Sequence, residues 1–281
     1  MDKILFAVGV AMLATANVYL IGSGWVAQFE QKPAITGLYI VDLLLNFFPE
    51  LFTNPWGKLV MEVMNGFAGC VIASITFESV STTKLGKGVS ALFMPVAQFV
   101  AIGFATPVFY GLISGNVVQP PRPVGKLVSY TVLLTLLVTG ALGQMLESSI
   151  QAGDLRILVV FLLLPVVTIF TAVLLNGGGG RDSIGAEEMS YQVCVLNGVV
   201  AHVRVLYMLA TVSFTVGTIN PPSVFLFVDL VGLMLGAYLW ISQHTQLASS
   251  KSLATFVLLG PGAHFALLCL DRSHQNKLKP E

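Results

Sequence analysis

Charge is scarce in this chain. Lys, Arg, Asp and Glu make up 10% of its 281 residues, where a soluble domain carries about 25%. With 55% hydrophobic residues and a mean hydropathy of +0.83, the composition is that of a polytopic membrane protein. No polar stretch is long enough to form a soluble catalytic domain. Any activity must therefore be built from membrane helices and short loops. The formal net charge is zero, which argues against a nucleic-acid partner or a polybasic membrane patch. Cysteine is equally sparse. Cys70, Cys194 and Cys269 lie in apolar stretches without CxxC spacing, so they read as small core hydrophobes, not as disulfides or metal ligands.

Long apolar runs are what the chain does have. Runs near twenty residues place spans at 4–25, 57–79, 90–114, 127–147, 156–176, 191–217, 223–243 and 253–270. The shorter 36–53 is a further span, a re-entrant helix or an interfacial helix. The expected fold is all-α: one integral-membrane helical domain over 1–281, with about eight spans and a range of seven to nine. Ile4 to Leu13 before Ala14-Thr15-Ala16 has the outline of a signal peptide, but apolar sequence runs on to Trp25, which favours an uncleaved span. Turn-rich loops stand at 81–88, 116–126, 176–188 and 220–222. Gly177 to Gly180 before Arg181 lacks the P-loop pattern and reads as a hinge. Counted over eight spans, Lys and Arg divide seven against six between the two faces, which orients nothing. No internal repeat is visible.

Against this background the few acids stand out. Asp229 is the one charge in Ser223 to Ile241. A carboxylate at the bilayer centre costs roughly 2.5–3.5 kcal/mol and ordinarily marks a functional site. Gly236 and Trp240 share its helical face, and Gly232-x-x-x-Gly236 lets a neighbouring helix approach. Asp42, Asn46 and Glu50, at i, i+4 and i+8, form one stripe with Tyr39 close by. That stripe faces either headgroups or an internal cavity, with Pro49 disturbing the helix beside it. Glu62, with Asn65 at i+3, is at headgroup level or functional. Glu78, Glu147 and Asp154 stand at span ends and read as solvated. Arg204 shares a face with Asn197 and needs an acid from another helix; Asp229 or an acid of the 42–50 stripe is the expected partner. His202 and His264 read as hydrogen-bonded core residues. The serines show no His or Asp partner in the sequence. HxxxH, HExxH and paired Asp-rich motifs are absent, so no metal and no cofactor is expected.

Asp42 opens D-L-L-L-N-F-F-P, and Asp229 stands in V-D-L-V-G-L-M-L-G-A-Y-L-W. This arrangement resembles the fungal integral-membrane terpene cyclases of meroterpenoid pathways, of the paspaline and pyripyropene types. Those bundles carry an early acid before a hydrophobic run and Pro, and a late acid followed by Tyr and Trp. The likeness covers two patches. Asp replaces the family's early Glu, no Trp precedes it, Leu230 stands where that family has Gly, and one span is extra. The resemblance implies that Asp42 and Asp229 are the catalytic pair; Glu62 is the reserve candidate on its own position. It also implies an apolar prenylated substrate, the endoplasmic reticulum as the membrane if the source is eukaryotic, and protonation of an epoxide or alkene without metal.

The physical requirements of that chemistry are a neutral buried acid and a dry cavity with aromatic faces for the cation. Tyr39, Asn46, Glu50, Trp56, Arg204 and Trp240 are the expected substrate-binding residues, with Phe47, Phe48 and Tyr110 as further lining. Two rival readings stay open: a proton-coupled transporter or channel using the acids as a relay, and a non-catalytic protein whose acids pair with Arg204.

Overall fold

The computed structural model describes all residues except 1, 34, 83–86, 117–123, 176–183, 245–249 and 279–281. Its elements are α1 (Asp2–Gly22), α2 (Trp25–Glu30), α3 (Tyr39–Phe52), α4 (Pro55–Thr82), α5 (Lys87–Phe99), α6 (Ile102–Ser114), α7 (Lys126–Gln151), α8 (Arg156–Leu175), α9 (Ile184–Thr211), α10 (Pro221–Ile241) and α11 (Ser250–Leu278). The protein is an all-α polytopic bundle. Among the described residues seven helices, α1, α4 and α7 to α11, are long and apolar enough to cross a membrane. The glycine-rich 176–183 hinge lies outside the described residues.

The run expected to cross at 90–114 does not cross. α5 and α6 meet at Ala101, which is extended, and the rings of Phe93 and Phe109 lie 5.3 Å apart. Sixteen residues of straight helix would separate them by about 24 Å, so the segment is a hairpin. α11 folds back in the same way at Gly260, whose φ of 85° and ψ of 165° break the helix. There Ser252 Oγ lies 2.8 Å from His264 Nε2, a pair that a straight helix would hold about 18 Å apart. Pro95, Pro107 and Pro261 add to the cost of a continuous helix in these segments.

Both hairpins enter from the same end of the bundle, the one opposite the starts of α4 and α10. α4 and α10 run side by side. Asn54 and Asn220 mark their starts, which we name the entry end. At the far end Arg272 bonds Glu78 through Nε at 2.8 Å and lies over the Trp240 ring, while Trp240 stacks on Tyr110 of α6 at 4.3 Å. The hairpin tips stop at mid-depth, where Gly103 meets the backbone of Asp229 and Gly262 meets that of Gly66.

These correspondences disclose an internal repeat that the sequence conceals. α1, α4 and α5–α6 are matched by α9, α10 and α11. Asn54-Pro55 and Gly66 recur at the same spacing as Asn220-Pro221 and Gly232. Gly9 packs on the α6 backbone at Phe104 as Gly198 packs on Ala263. The Asn54 side chain donates to Thr218 O at 2.5 Å, and Asn220 donates to Glu50 O at 2.9 Å. α7 and α8 stand between the two copies in sequence. Little side-chain identity survives beyond the glycines and the Asn-Pro starts, which is why the repeat is invisible in sequence.

α3, too short to cross, packs on α4, α7 and α10 at the entry end. Gly232 and Gly236 do receive a neighbouring helix, lying against Gly103 and Pro107 of α6. The close approaches yield a test. A methyl at Gly103 or Gly262 meets backbone and not a movable side chain, whereas one at Gly22 meets nothing within 4 Å. Gly103→Ala and Gly262→Ala are each expected to cost about 1–3 kcal/mol, read as a lowered unfolding midpoint in detergent, with Gly22→Ala unchanged.

Candidate functional site

Breaking a helix at mid-depth leaves backbone amides open in an apolar surrounding. α6 has no side-chain cap of its own. Asp229 supplies one from α10: the Gly103 amide donates to its Oδ1 at 2.6 Å, and the Ile102 amide lies close enough to act on the carboxylate electrostatically. The helix dipole of α6 favours negative charge at this position. Among the described residues no Lys, Arg or His forms an ion pair with Asp229. It is 6% exposed, and it borders a cavity of about 480 Å³.

That cavity occupies the entry-end half of the bundle. Val100, Ala101 and Ile102 at the hairpin tip form its floor, and Leu43, Leu44, Phe47 and Phe48 of α3 lie at its roof. Five aromatic rings line it: Trp25, Phe47, Phe48, Phe161 and Phe225. Trp25 meets Phe47 edge to face, as does Phe225. The polar lining is mostly amide: Asn17, Asn65, Gln98, Gln144 and Asn197, with Thr139.

Most of the residues expected at the site are elsewhere. Asp42 does not share the cavity with Asp229. Its carboxylate takes the Thr36 hydroxyl and amide, both at 2.7 Å, and the Gly37 amide at 3.2 Å. It borders a separate shallow pocket with Phe29 and Tyr39. The Thr36 hydroxyl, then the amides, hold Asp42 below the usual carboxylate value against the opposing effect of burial. Asn46 turns back to Asp42 O, and Glu50 Oε2 accepts from Trp25 Nε1 at 2.8 Å. The polar stripe thus braces α3, and the opposite, aromatic face looks inward. Tyr39 is exposed. Trp56 donates to Thr215 O and packs on Phe214. Trp240 and Tyr110 are buried at the far end. None of these lines the cavity; Phe47 and Phe48 do.

Arg204 pairs with Glu62 at 3.0 Å and also bonds Gln144, not Asp229 or the 42–50 stripe. Glu62 is therefore a neutralised acid behind the cavity wall, with Oε2 buried and without a hydrogen bond. Glu78, expected to be solvated, is buried and paired with Arg272. Glu147 pairs with Lys58 at 2.7 Å, and Asp154 with Arg156 at 2.8 Å. His264 bridges Tyr238 and Ser252, so one serine does have a histidine partner. His202 Nε2 lies 3.2 Å from Val257 O. The three cysteines are buried and free.

Gln98, Thr139 and Gln144 were not anticipated as lining, and Asn65 and Asn197 were noted only beside their charged neighbours. The missed signal is Gly140-x-x-Gly143 on α7, whose glycines lie against Asn197 and Asn65. No family model, curated protein or solved structure matches the chain.

Two expectations test these assignments. Arg204→Met strands the Glu62 carboxylate, and adding Glu62→Gln is expected to recover part of the loss. The double-mutant cycle should show about 1–2 kcal/mol of coupling, reduced by the partial exposure of Arg204; additive losses would refute the pair. A lowered Asp42 pKa means a contribution present in full at neutral pH and lost only as pH falls below about 4. Asp42→Ala is accordingly expected to open segment 35–38 to proteolysis at pH 7, a sensitivity the parent gains only in acid.

Proposed function

We propose that this protein is an integral-membrane terpenoid cyclase, or a closely related acid–base isomerase, with Asp229 as its single proton-transferring group. One observation carries the reading: a carboxyl group that forms no ion pair among the described residues, at the edge of a largely apolar cavity walled by five aromatic rings. The substrate is an apolar, prenyl-type molecule drawn from the bilayer.

Anchoring of Oδ1 by the α6 amides fixes the carboxyl group and leaves Oδ2 as the atom that carries the proton. Transfer from Oδ2 to a terminal alkene carbon leaves a carbocation on the neighbouring carbon; transfer to an epoxide oxygen breaks one C–O bond and leaves a hydroxyl and a carbocation on the released carbon. A double bond further along the chain attacks it and closes a ring. Loss of a proton from a carbon beside the last cation restores a double bond and returns the proton to the Asp229 carboxylate. Bonds and charge balance without metal or redox partner. The α6 amides stabilise the carboxylate formed in the first step, and the aromatic faces stabilise the passing cation. With Asp42 elsewhere, the two-acid scheme implied by the resemblance contracts to one acid that donates and recovers.

A second reading is favoured by the paired hairpins. Half-helices that meet at mid-depth within a repeated bundle also build substrate sites in transporters. There Asp229 would bind and release a proton coupled to transport.

Asp229→Asn keeps the shape and an acceptor for Gly103 but removes the transferable proton. In microsomes given a prenylated phenol or its epoxide, cyclised product is expected to fall at least 100-fold, on the scale of a lost general acid, with expression unchanged. Asp42→Asn is expected to stay within about threefold of the parent. Cyclisation unaffected by Asp229→Asn would sink the enzyme reading. Asp229-dependent flux in proteoliposomes, without any cyclised product, would establish the second.

A further inference from the structure

We infer that the cavity contains a recognition site for the oxygen-bearing group of a neutral, lipid-soluble amphiphile, formed by the side-chain amides of Asn65 and Asn197. This deepens the proposal above and rests on its premise that the cavity receives the substrate.

The geometry is specific. Asn65 projects from α4 and Asn197 from α9, and both amides come to rest on α7. A Cβ built on Gly140 would lie 2.9 Å from Asn197 Nδ2, and one on Gly143 would lie 3.5 Å from Asn65 Nδ2. Gly140 and Gly143 are one helical turn apart, so the amides sit on adjoining patches of one face. The two glycines make room for them. Both side chains border the cavity, and neither bonds protein among the described residues.

Both residues are half-buried, and their amides border the cavity. Two amides set side by side on a largely apolar wall are explained by a ligand that completes their bonds. Gln144, the next polar group on α7, has its Oε1 engaged by Arg204, which fixes one edge of the patch.

The ligand's chemistry follows from the wall. Each amide both donates and accepts, which suits a hydroxyl or a carbonyl oxygen. Among the described residues no Lys or Arg lines the cavity, so the wall offers no counter-charge to an anionic ligand. Asp229 stands apart, on α10 against α6, while the amide patch lies against α7. A molecule that seats its oxygen on Asn65 and Asn197 therefore extends its apolar body among the rings toward Asp229. The patch selects and orients; the acid reacts. The volume of about 480 Å³ lies within the range of small-molecule sites.

Three probes of one carbon skeleton test this: farnesol, the hydrocarbon farnesene, and farnesylamine. Binding is measured by competition against tritiated farnesol on the purified full chain in detergent. Farnesol is expected to bind about tenfold or more tighter than farnesene, and the double variant Asn65→Leu, Asn197→Leu to cut that preference to within about twofold while farnesene still binds. If the double variant fails to fold, Gly140→Ala replaces it. The added methyl displaces the Asn197 amide, and is expected to weaken farnesol at least threefold and leave farnesene unchanged. Asp229→Asn is expected to keep the full preference for farnesol, so a failure of the acid's proposed chemistry and a failure of this site are read separately. The site is refuted if neither probe binds, or if farnesol has no advantage in the parent. It is refuted equally if the advantage survives the amide replacements, or if farnesylamine binds tightest in a way that depends on Asp229.

Discussion

The contact between the Asp229 carboxylate and the open amides of α6 governs this structure. A helix that starts at mid-depth presents N–H groups where there is no water to take them. A carboxylate on an apolar helix has the complementary need. Each is costly alone, and together they hold the tip of the hairpin at one level on α10. The close approach depends on Gly103 and Gly232, since a side chain on either would keep the backbones apart. Once the tip is held, Ala101 and Ile102 form a floor and the space above them is the cavity.

The second copy of the repeat meets the same difficulty by another route. The arm after Gly260 begins with Pro261, which has no amide hydrogen to satisfy, and Tyr238 donates to the Pro261 carbonyl at 2.9 Å. No acid is required, and Val63 stands at the position corresponding to Asp229. The two halves thus share a scaffold and differ in the group at the tip.

Much of the fold was legible because hydropathy and length are enough to find crossing helices. Asp229 was legible for the same reason, as a lone charge in an apolar run. The hairpins were not, because a broken pair of half-helices has the same apolar length as one span. The assignments of Asp42, Glu50, Trp56 and Trp240 failed on direction. Spacing shows which residues share a face of a helix, but not whether that face turns to the cavity, to a loop or to the far end. Arg204 was correctly expected to need an acid. The identity of that acid depended on α4 and α9 lying side by side, which no local pattern records. The amide patch was hidden because its clearest mark is two glycines on a third helix.

The hairpins also change how the chain sits in its membrane. Because 87–114 and 250–278 return to the end they came from, the loops alternate differently from those of an eight-span chain. The helix ends on either side of the first hairpin, Thr82 of α4 and Lys126 of α7, lie on one face of the bundle. The cavity with its α3 roof therefore lies nearer the opposite face, and an apolar ligand reaches it from that half of the membrane.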